Sequence, residues 1–457
     1  MNRIAGRSRF VLILAAVLVL GLVIFSGEYL LQAKEWVVFP GSPHVYRGSN
    51  LNCGVVTDRT GAVLLDATDG RTYSDDRTVR LATLHLLGDR EGYISAPAVS
   101  EYSSQMVGFD LINGVYSTSG TGGTAVLTIS AKAQKAALEA LDGRKGVVGV
   151  YNYKTGEILC AVSSPTYDPD DVPDLENDST GDYEGVYVNR FTQASYVPGS
   201  IFKVVTTAAA LAEIDDIESQ TFLCEGSYWV GGDEVVCEGT HGEVTMRQAL
   251  MHSCNSAFAQ IALELGPETL MKYAQQFQIT EPLTFDGITT ASGHFDLSDA
   301  ADVNVAWGRI GQYTDTVNPC RYMTFMGQIA GGGTAAEPYL VSSASSGIFS
   351  RYTARTQQTD RVMPTAVAAT LQEMMHYNVT NNYGEDSFPD VYVCAKTGTA
   401  EVGGGLEPNA TFAGFTMDED YPLAFVVMVE NGGYGRSVCI PILSQVLSAC
   451  MEDMNPG

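Results

Sequence analysis

At 457 residues the chain is long enough for two or three domains. Its 26 lysines and arginines stand against 53 aspartates and glutamates, a net charge of −27 that argues against the basic patch a nucleic-acid partner would need. The nine cysteines include no Cys-x-x-Cys pair and no His-rich zinc spacing, so neither a metal nor any other cofactor is expected.

Arg3, Arg7 and Arg9 precede an uncharged, mostly apolar segment, residues 10–27, that as a helix would span about 27 Å. The positive charge ahead of it puts residues 1–9 in the cytoplasm and the bulk of the chain outside the cell membrane. A cleaved signal peptide is the alternative, but the apolar run is long for one and Ile24-Phe25-Ser26 is a poor cleavage site, so an uncleaved anchor is expected. Residues 28–125 offer short β-prone pieces and turns, among them 54–57, a turn at 58–61 and 62–65, and read as a non-catalytic pedestal. His85 stands alone there and reads as structural.

A helix is predicted over 130–141, with Ser130 as N-cap and Gly143 as its stop. A β-hairpin over 146–162 turns at Lys154-Thr155-Gly156, and the acidic, proline-containing stretch 165–173 reads as solvated surface. The next stretch is the chemically pointed one. Pro198-Gly199-Ser200-Ile201-Phe202-Lys203 runs into Val204, Val205 and a series of small residues, the pattern of a buried helix that starts near the serine. Three residues apart, Ser200 and Lys203 share a helix face, and a desolvated lysine can take the proton of a serine hydroxyl. Free N–H groups at the helix start would favour a developing oxyanion.

Cys224 and Cys237 flank a glycine-containing, hairpin-like stretch; they are either a disulfide pair or two buried thiols. Thr245 and Gln248 form a capping box opening a helix, after which Ser253-Cys254-Asn255 falls at a junction before a second helix that Gly266-Pro267 ends. Cys254 reads as a small buried spacer. Loop and helix alternate from Trp307, with a helix over 322–330, a polar surface excursion over 341–362 and a helix over 363–376. Strands follow at 392–396, 411–415 and 423–429, the first leading into Lys396-Thr397-Gly398-Thr399, and an amphipathic helix over 442–451 closes the chain. The fold class expected is α+β: one antiparallel sheet with helices on its faces, plus the β-rich pedestal and the transmembrane helix.

Ser-x-x-Lys, Ser-x-Asn and Lys-Thr-Gly in this order resemble the three signatures of the penicillin-binding protein and serine β-lactamase superfamily. Residues 126–457 look like the transpeptidase domain of class B penicillin-binding proteins; the hairpin text from Val147 to Pro165, Asn189-Arg190 and His241-Gly242 also fit. The sequence departs from the family at Tyr313, where relatives commonly have glycine, and at Asn318-Pro319-Cys320-Arg321. The resemblance implies that Ser200 attacks the carbonyl between the terminal D-alanines of a peptidoglycan stem peptide, and that β-lactam antibiotics acylate the same serine. Lys203 would take its proton, and Ser253 and Lys396 would relay it toward the leaving amine. Asn255 would bind the donor peptide. Thr397 and Thr399, with Lys396, would hold the terminal carboxylate, and Gly398 would let the substrate lie close. The backbone N–H groups of Ser200 and Thr399 would form the oxyanion hole. A membrane-embedded peptidoglycan glycosyltransferase is the implied partner. Two alternatives share these motifs: a membrane-anchored D,D-carboxypeptidase or β-lactamase, and a non-enzymatic β-lactam sensor or scaffold. No Glu-x-x-Leu-Asn element is present to position a deacylating water, and no sizeable cytoplasmic region precedes residue 10.

Overall fold

The computed structural model describes residues 2–39, 42, 45–107, 122–298, 315–346 and 351–454, so the predicted segment at 307–312 and Tyr313 lie outside the described residues. Helix α1 (Asn2–Val37) carries the predicted apolar segment within Ile4–Gln32, which has a mean hydropathy of 2.9 and an apolar window with no residue buried in the protein. A pedestal follows. Strands β1 (Val55–Thr57), β2 (Val63–Asp66) and β3 (Thr72–Tyr73) lead to α2 (Arg77–Leu87), whose N-cap Asp76 accepts from the backbone N–H groups of Thr78 and Val79. Strand β4 (Thr124–Leu127) pairs in parallel with β1. The expected domain break at 125/126 therefore falls inside a strand.

Helix α3 (Ala131–Leu141) has the predicted Ser130 cap, whose Oγ accepts from Ala133 N at 2.9 Å, and it stops where Asp142 and Gly143 take positive φ. Strands β5 (Gly146–Asn152) and β6 (Ile158–Ser164) form the predicted hairpin. At its turn Asn152 Oδ1 accepts from Lys154 N and Thr155 N, so this first Lys-Thr-Gly is structural. A 3-10 turn (Gly199–Phe202) then feeds α4 (Lys203–Glu213). Two small antiparallel pairs come next: β7 (Thr221–Cys224) with β10 (Gly242–Thr245), and between them β8 (Ser227–Val230) with β9 (Asp233–Val236). Helix α5 (Met246–Met251) opens with the predicted capping box, and α6 (Asn255–Gln276) is broken at Gly266, φ +77, just before Pro267.

Beyond α7 (Pro319–Ala330), capped by Asn318, come β11 (Val341–Ser345) and β12 (Arg351–Thr353). These correct the expectation of a surface excursion: β11 pairs with β4 and completes a six-stranded sheet in the order β12-β11-β4-β1-β2-β3. The alternation of small and polar side chains there has no strong apolar face, which is why the stretch reads as loop. Helix α8 (Thr365–Asn378), strands β13 (Val393–Ala400), β14 (Asn409–Thr416) and β15 (Leu423–Val429), and helix α9 (Gly435–Met454) complete the chain.

The central sheet runs β13-β14-β15-β5-β6, all antiparallel. Side chains alternate across it, so its two faces fill two separate cores. Val148, Val150, Phe412, Phe425 and Val427 pack with Ala137 of α3 and Leu443 and Leu447 of α9. Val147, Tyr151, Ala413, Val426 and Met428 pack with Met323 and Phe325 of α7 and with Ile201 and Phe202. Burial on both faces explains why these strands are apolar throughout rather than alternating. It also leaves β13 as the sheet's edge, where the third motif lies.

Candidate active site

The 3-10 turn is pressed against β13. Gly199 sits at φ +59, and a Cβ there would lie 2.7 Å from Thr399 O. At Gly398 a Cβ would meet Thr411 Oγ1 at 2.3 Å and Ile201 N and Pro198 O at 3.0 Å. The glycine of the third motif is thus required by the protein's own packing, a reason different from the substrate approach expected above. Together these contacts bring Ser200 alongside Thr397-Gly398-Thr399.

Lys203, fully buried one turn on, places its ammonium 3.1 Å from Ser200 Oγ, as the three-residue spacing predicts. The same Nζ donates to Ser253 O at 2.6 Å and Asn255 Oδ1 at 2.6 Å, and lies 3.1 Å from Ser253 Oγ. Lys396, on β13 and 1% exposed, reaches Ser253 Oγ from the other side at 3.1 Å and donates to Thr397 O at 2.6 Å. Ser253 is held in the left-handed region at φ +55, a conformation that costs about 1–3 kcal/mol for a non-glycine residue and that aims its hydroxyl between the two lysines. Burial lowers the Lys203 pKa to about 8. Burial, and then the charge of Lys203, hold Lys396 well below the ordinary lysine range.

A cleft of ≈ 780 Å³ opens over Ser200, Ser253, Asn255, Thr397, Gly398 and Thr399. Both lysines lie behind this wall. The resemblance gave Lys396 a share in binding the substrate carboxylate, but its ammonium is turned inward to Ser253. Arg436, at the start of α9, is the only cationic side chain among the described lining residues, and its Nη1 donates to Asn382 Oδ1 at 3.1 Å. Tyr383 also lines the cleft: its OH accepts from Thr397 N at 3.0 Å and lies 3.1 Å from Thr397 Oγ1. Neither Arg436 nor Tyr383 is marked by any motif; both arrive through tertiary packing.

Of the two readings of Cys224 and Cys237, the structure has the buried thiols. All nine cysteines are free, so Cys224 and Cys237 are not a disulfide. Cys254 is buried as expected, and Cys224, Cys237, His241 and Cys254 bring their donor atoms within 4.8 Å of one another. Cys237 and His241 share the connection between β9 and β10, while Cys224 ends β7 and Cys254 caps α6.

A serine hydroxyl beside a buried, depressed lysine, with a second serine bridging to a second lysine, is the site of a serine acyltransferase. The comparisons with known proteins say which one. Residues 146–448 match the penicillin-binding protein transpeptidase domain. The chain is 30% identical over 362 residues to the peptidoglycan D,D-transpeptidase PbpA of Mycobacterium tuberculosis, covering 72% of this chain and 73% of that protein. It is 26% identical over 407 residues to stage V sporulation protein D of Bacillus subtilis, covering 84% and 59%. The structure of M. tuberculosis penicillin-binding protein A as a ceftriaxone acyl-enzyme superposes with a TM-score of 0.74 at 26% identity, over 88% of this chain and 98% of that one. The chain belongs to the penicillin-binding protein transpeptidase family, among the class B D,D-transpeptidases.

Proposed function

We propose the following division of labour for peptidoglycan D,D-transpeptidation by this chain. Ser200 is the nucleophile and Lys203 its base. The observation that carries this is the bonding of Lys203 Nζ: Ser253 O and Asn255 Oδ1, both at 2.6 Å, take two N–H groups, so the neutral amine keeps its lone pair for the Ser200 hydroxyl 3.1 Å away. As Ser200 Oγ bonds to the penultimate D-alanine carbonyl carbon, its proton passes to Lys203 and negative charge gathers on the carbonyl oxygen.

Thr397 N–H meets Tyr383 on the free edge of β13, and by the two-residue alternation of a strand Thr399 N–H points the same way. That N–H and the one of Ser200 form the oxyanion hole. Collapse breaks the peptide bond; the departing D-alanine amine takes a proton through Ser253 from the lysine pair. An acceptor amine then attacks the acyl-enzyme, gives its proton to the same relay, and frees Ser200. Asn255 spends one Nδ2 hydrogen on Val236 O at 2.9 Å and offers the other to the donor peptide. Thr397 and Thr399 hydroxyls bind the terminal carboxylate, with Arg436 as the cation inside the cleft and Lys396 contributing from behind.

Helix α1 anchors the chain in the cell membrane with its N-terminus inside, and the anchor and pedestal dock on a membrane-embedded glycosyltransferase. Absence of any such polymerase after mild crosslinking and purification would count against the docking. The catalytic assignment is tested by intact-mass time courses with benzylpenicillin. One adduct that requires Ser200 and persists for many minutes is expected; an adduct lost within seconds would make the chain a hydrolase, and no adduct would remove Ser200 from the role.

A further inference from the structure

The reaction proposed above needs two substrates of opposite charge: a donor ending in a carboxylate, and an acceptor that reaches the cleft near neutral pH as a primary ammonium. Arg436, Thr397 and Thr399 account for the first. For the second the cleft holds two acids, Glu238 and Glu401, and neither makes an ion pair or hydrogen bond with another described residue. Their settings differ. Glu238 follows the β8–β9 hairpin, two residues past Val236, whose carbonyl accepts from Asn255 Nδ2 at 2.9 Å. Cys237 N donates to Gly226 O at 2.9 Å and pins the same end of the hairpin. Asn255 Oδ1 in turn takes an N–H of Lys203 at 2.6 Å. This chain of bonds sets Glu238 beside the relay of Lys203, Ser253 and Lys396. Its negative charge acts on both lysines, raising the pKa of each against the burial that lowers it. Glu401 instead follows the last residue of β13.

We infer that the Glu238 carboxylate binds the ammonium group of the acceptor at the mouth of the proton relay, and so directs the acyl-enzyme to amines rather than to water. The inference rests on the transpeptidase reading of Ser200. Its place follows from the chemistry: the incoming amine must stand where the departing D-alanine amine stood, because one relay through Ser253 serves both. An acceptor held there sheds one proton to solvent, and its lone pair forms the C–N bond to the acyl carbon. A second proton passes through Ser253 to the lysine pair, and the C–O bond breaks as Ser200 Oγ takes that proton back. The new amide keeps the third. Glu238 makes and breaks no bond; it concentrates the cation and aims it at the acyl carbon. Water carries no charge and gains nothing from the carboxylate, so Glu238 bears on how the acyl-enzyme is divided between amine and water.

The test uses the full chain in detergent with a thioester analogue of the donor, and Ser200→Ala as the uncatalysed background. It reads, at pH 7, the ratio of amide to hydrolysis product from one acyl-enzyme as the acceptor concentration rises. Two acceptors are compared: glycinamide, mostly an ammonium at that pH, and hydroxylamine, mostly uncharged. Glu238→Gln should cut capture by glycinamide at least about tenfold, the loss of a charged hydrogen bond, and capture by hydroxylamine less than about twofold. Glu238→Asp should recover part of the loss, and Glu401→Gln should change neither acceptor by more than about twofold. In the wild-type chain, added salt should weaken glycinamide capture and spare hydroxylamine, a readout that needs no variant to fold. Equal losses for both acceptors would overturn the inference by making Glu238 a prop for its loop. So would an unchanged glycinamide ratio in Glu238→Gln, a salt effect common to both acceptors, or a Glu401→Gln loss as large as that of Glu238→Gln. Benzylpenicillin keeps the two readings apart: a wild-type chain that forms no adduct removes the nucleophile, whereas an adduct on Ser200 with an unchanged glycinamide ratio removes only the acceptor site.

Discussion

At the scale of single residues, the site works by keeping two lysines dry. With a pKa of about 8, Lys203 is neutral in roughly one chain in ten at pH 7 and in roughly nine of ten at pH 9, so the second-order rate of acylation by benzylpenicillin should rise about tenfold across that range. A flat profile over pH 7–9 would mean that Lys203 is not the base. Ser253→Ala removes the hydroxyl that both ammonium groups approach and should slow acylation by about 10²–10⁴-fold while leaving the fold intact, read by stopped mass spectrometry beside circular dichroism. Tyr383→Phe acts differently. It strips the acceptor from Thr397 N–H, a loss of about 1–3 kcal/mol if that group stays buried, and should raise the half-saturating β-lactam concentration more than it lowers the limiting acylation rate. Equal effects on both would place Tyr383 in the chemistry instead.

At the scale of elements, the stretch 165–173 has a job that charge alone hides. Asp168, 4% exposed, takes a two-pronged ion pair from Arg80 of α2, with Nε at 2.7 Å and Nη2 at 2.8 Å, which ties the pedestal to the loop that leaves β6. Sequence reading gives solvated surface there because an Asp-rich run cannot reveal that one member meets an arginine 88 positions away. The hydrogen bonds from Arg80 hold the Asp168 carboxyl below its ordinary range, so its contribution is present above about pH 3.9 and is lost as pH falls through the lower folded value. Asp168→Ala should cost about 2–3 kcal/mol at pH 7 by denaturant titration and progressively less toward pH 3; a loss that does not depend on pH would assign the effect to packing. What is legible locally is what local physics decides: the Ser130 cap, the Thr245–Gln248 box, the hairpin at 146–162 and the pairing of Ser200 with Lys203. The Arg80–Asp168 tie and the Tyr383 contact depend on how distant elements pack, and leave no periodic trace in the sequence.

At the scale of the whole molecule, an apolar helix segment with none of its residues buried stands at one end of the chain and a cleft built on an edge strand at the other. A segment with a mean hydropathy of 2.9 and none of its apolar window buried in the protein is stable only where something apolar surrounds it. On the proposed topology, Arg3, Arg7 and Arg9 set its direction and put the acidic part beyond α1, which carries most of the −27 charge, where peptidoglycan and acceptor amines are. Protease treatment of spheroplasts tests this. Cleavage of everything beyond α1 without lysis, leaving a small membrane-bound N-terminal fragment, is the expected result; full protection until the membrane is broken would reverse the topology. Replacing Arg3, Arg7 and Arg9 with glutamine weakens the orienting charge without touching the cleft, so part of the population should then become protected while the accessible part still forms the Ser200 adduct. Loss of the adduct from the accessible chains would mean instead that anchor and active site are coupled through the pedestal, along the path that Arg80 and Asp168 mark.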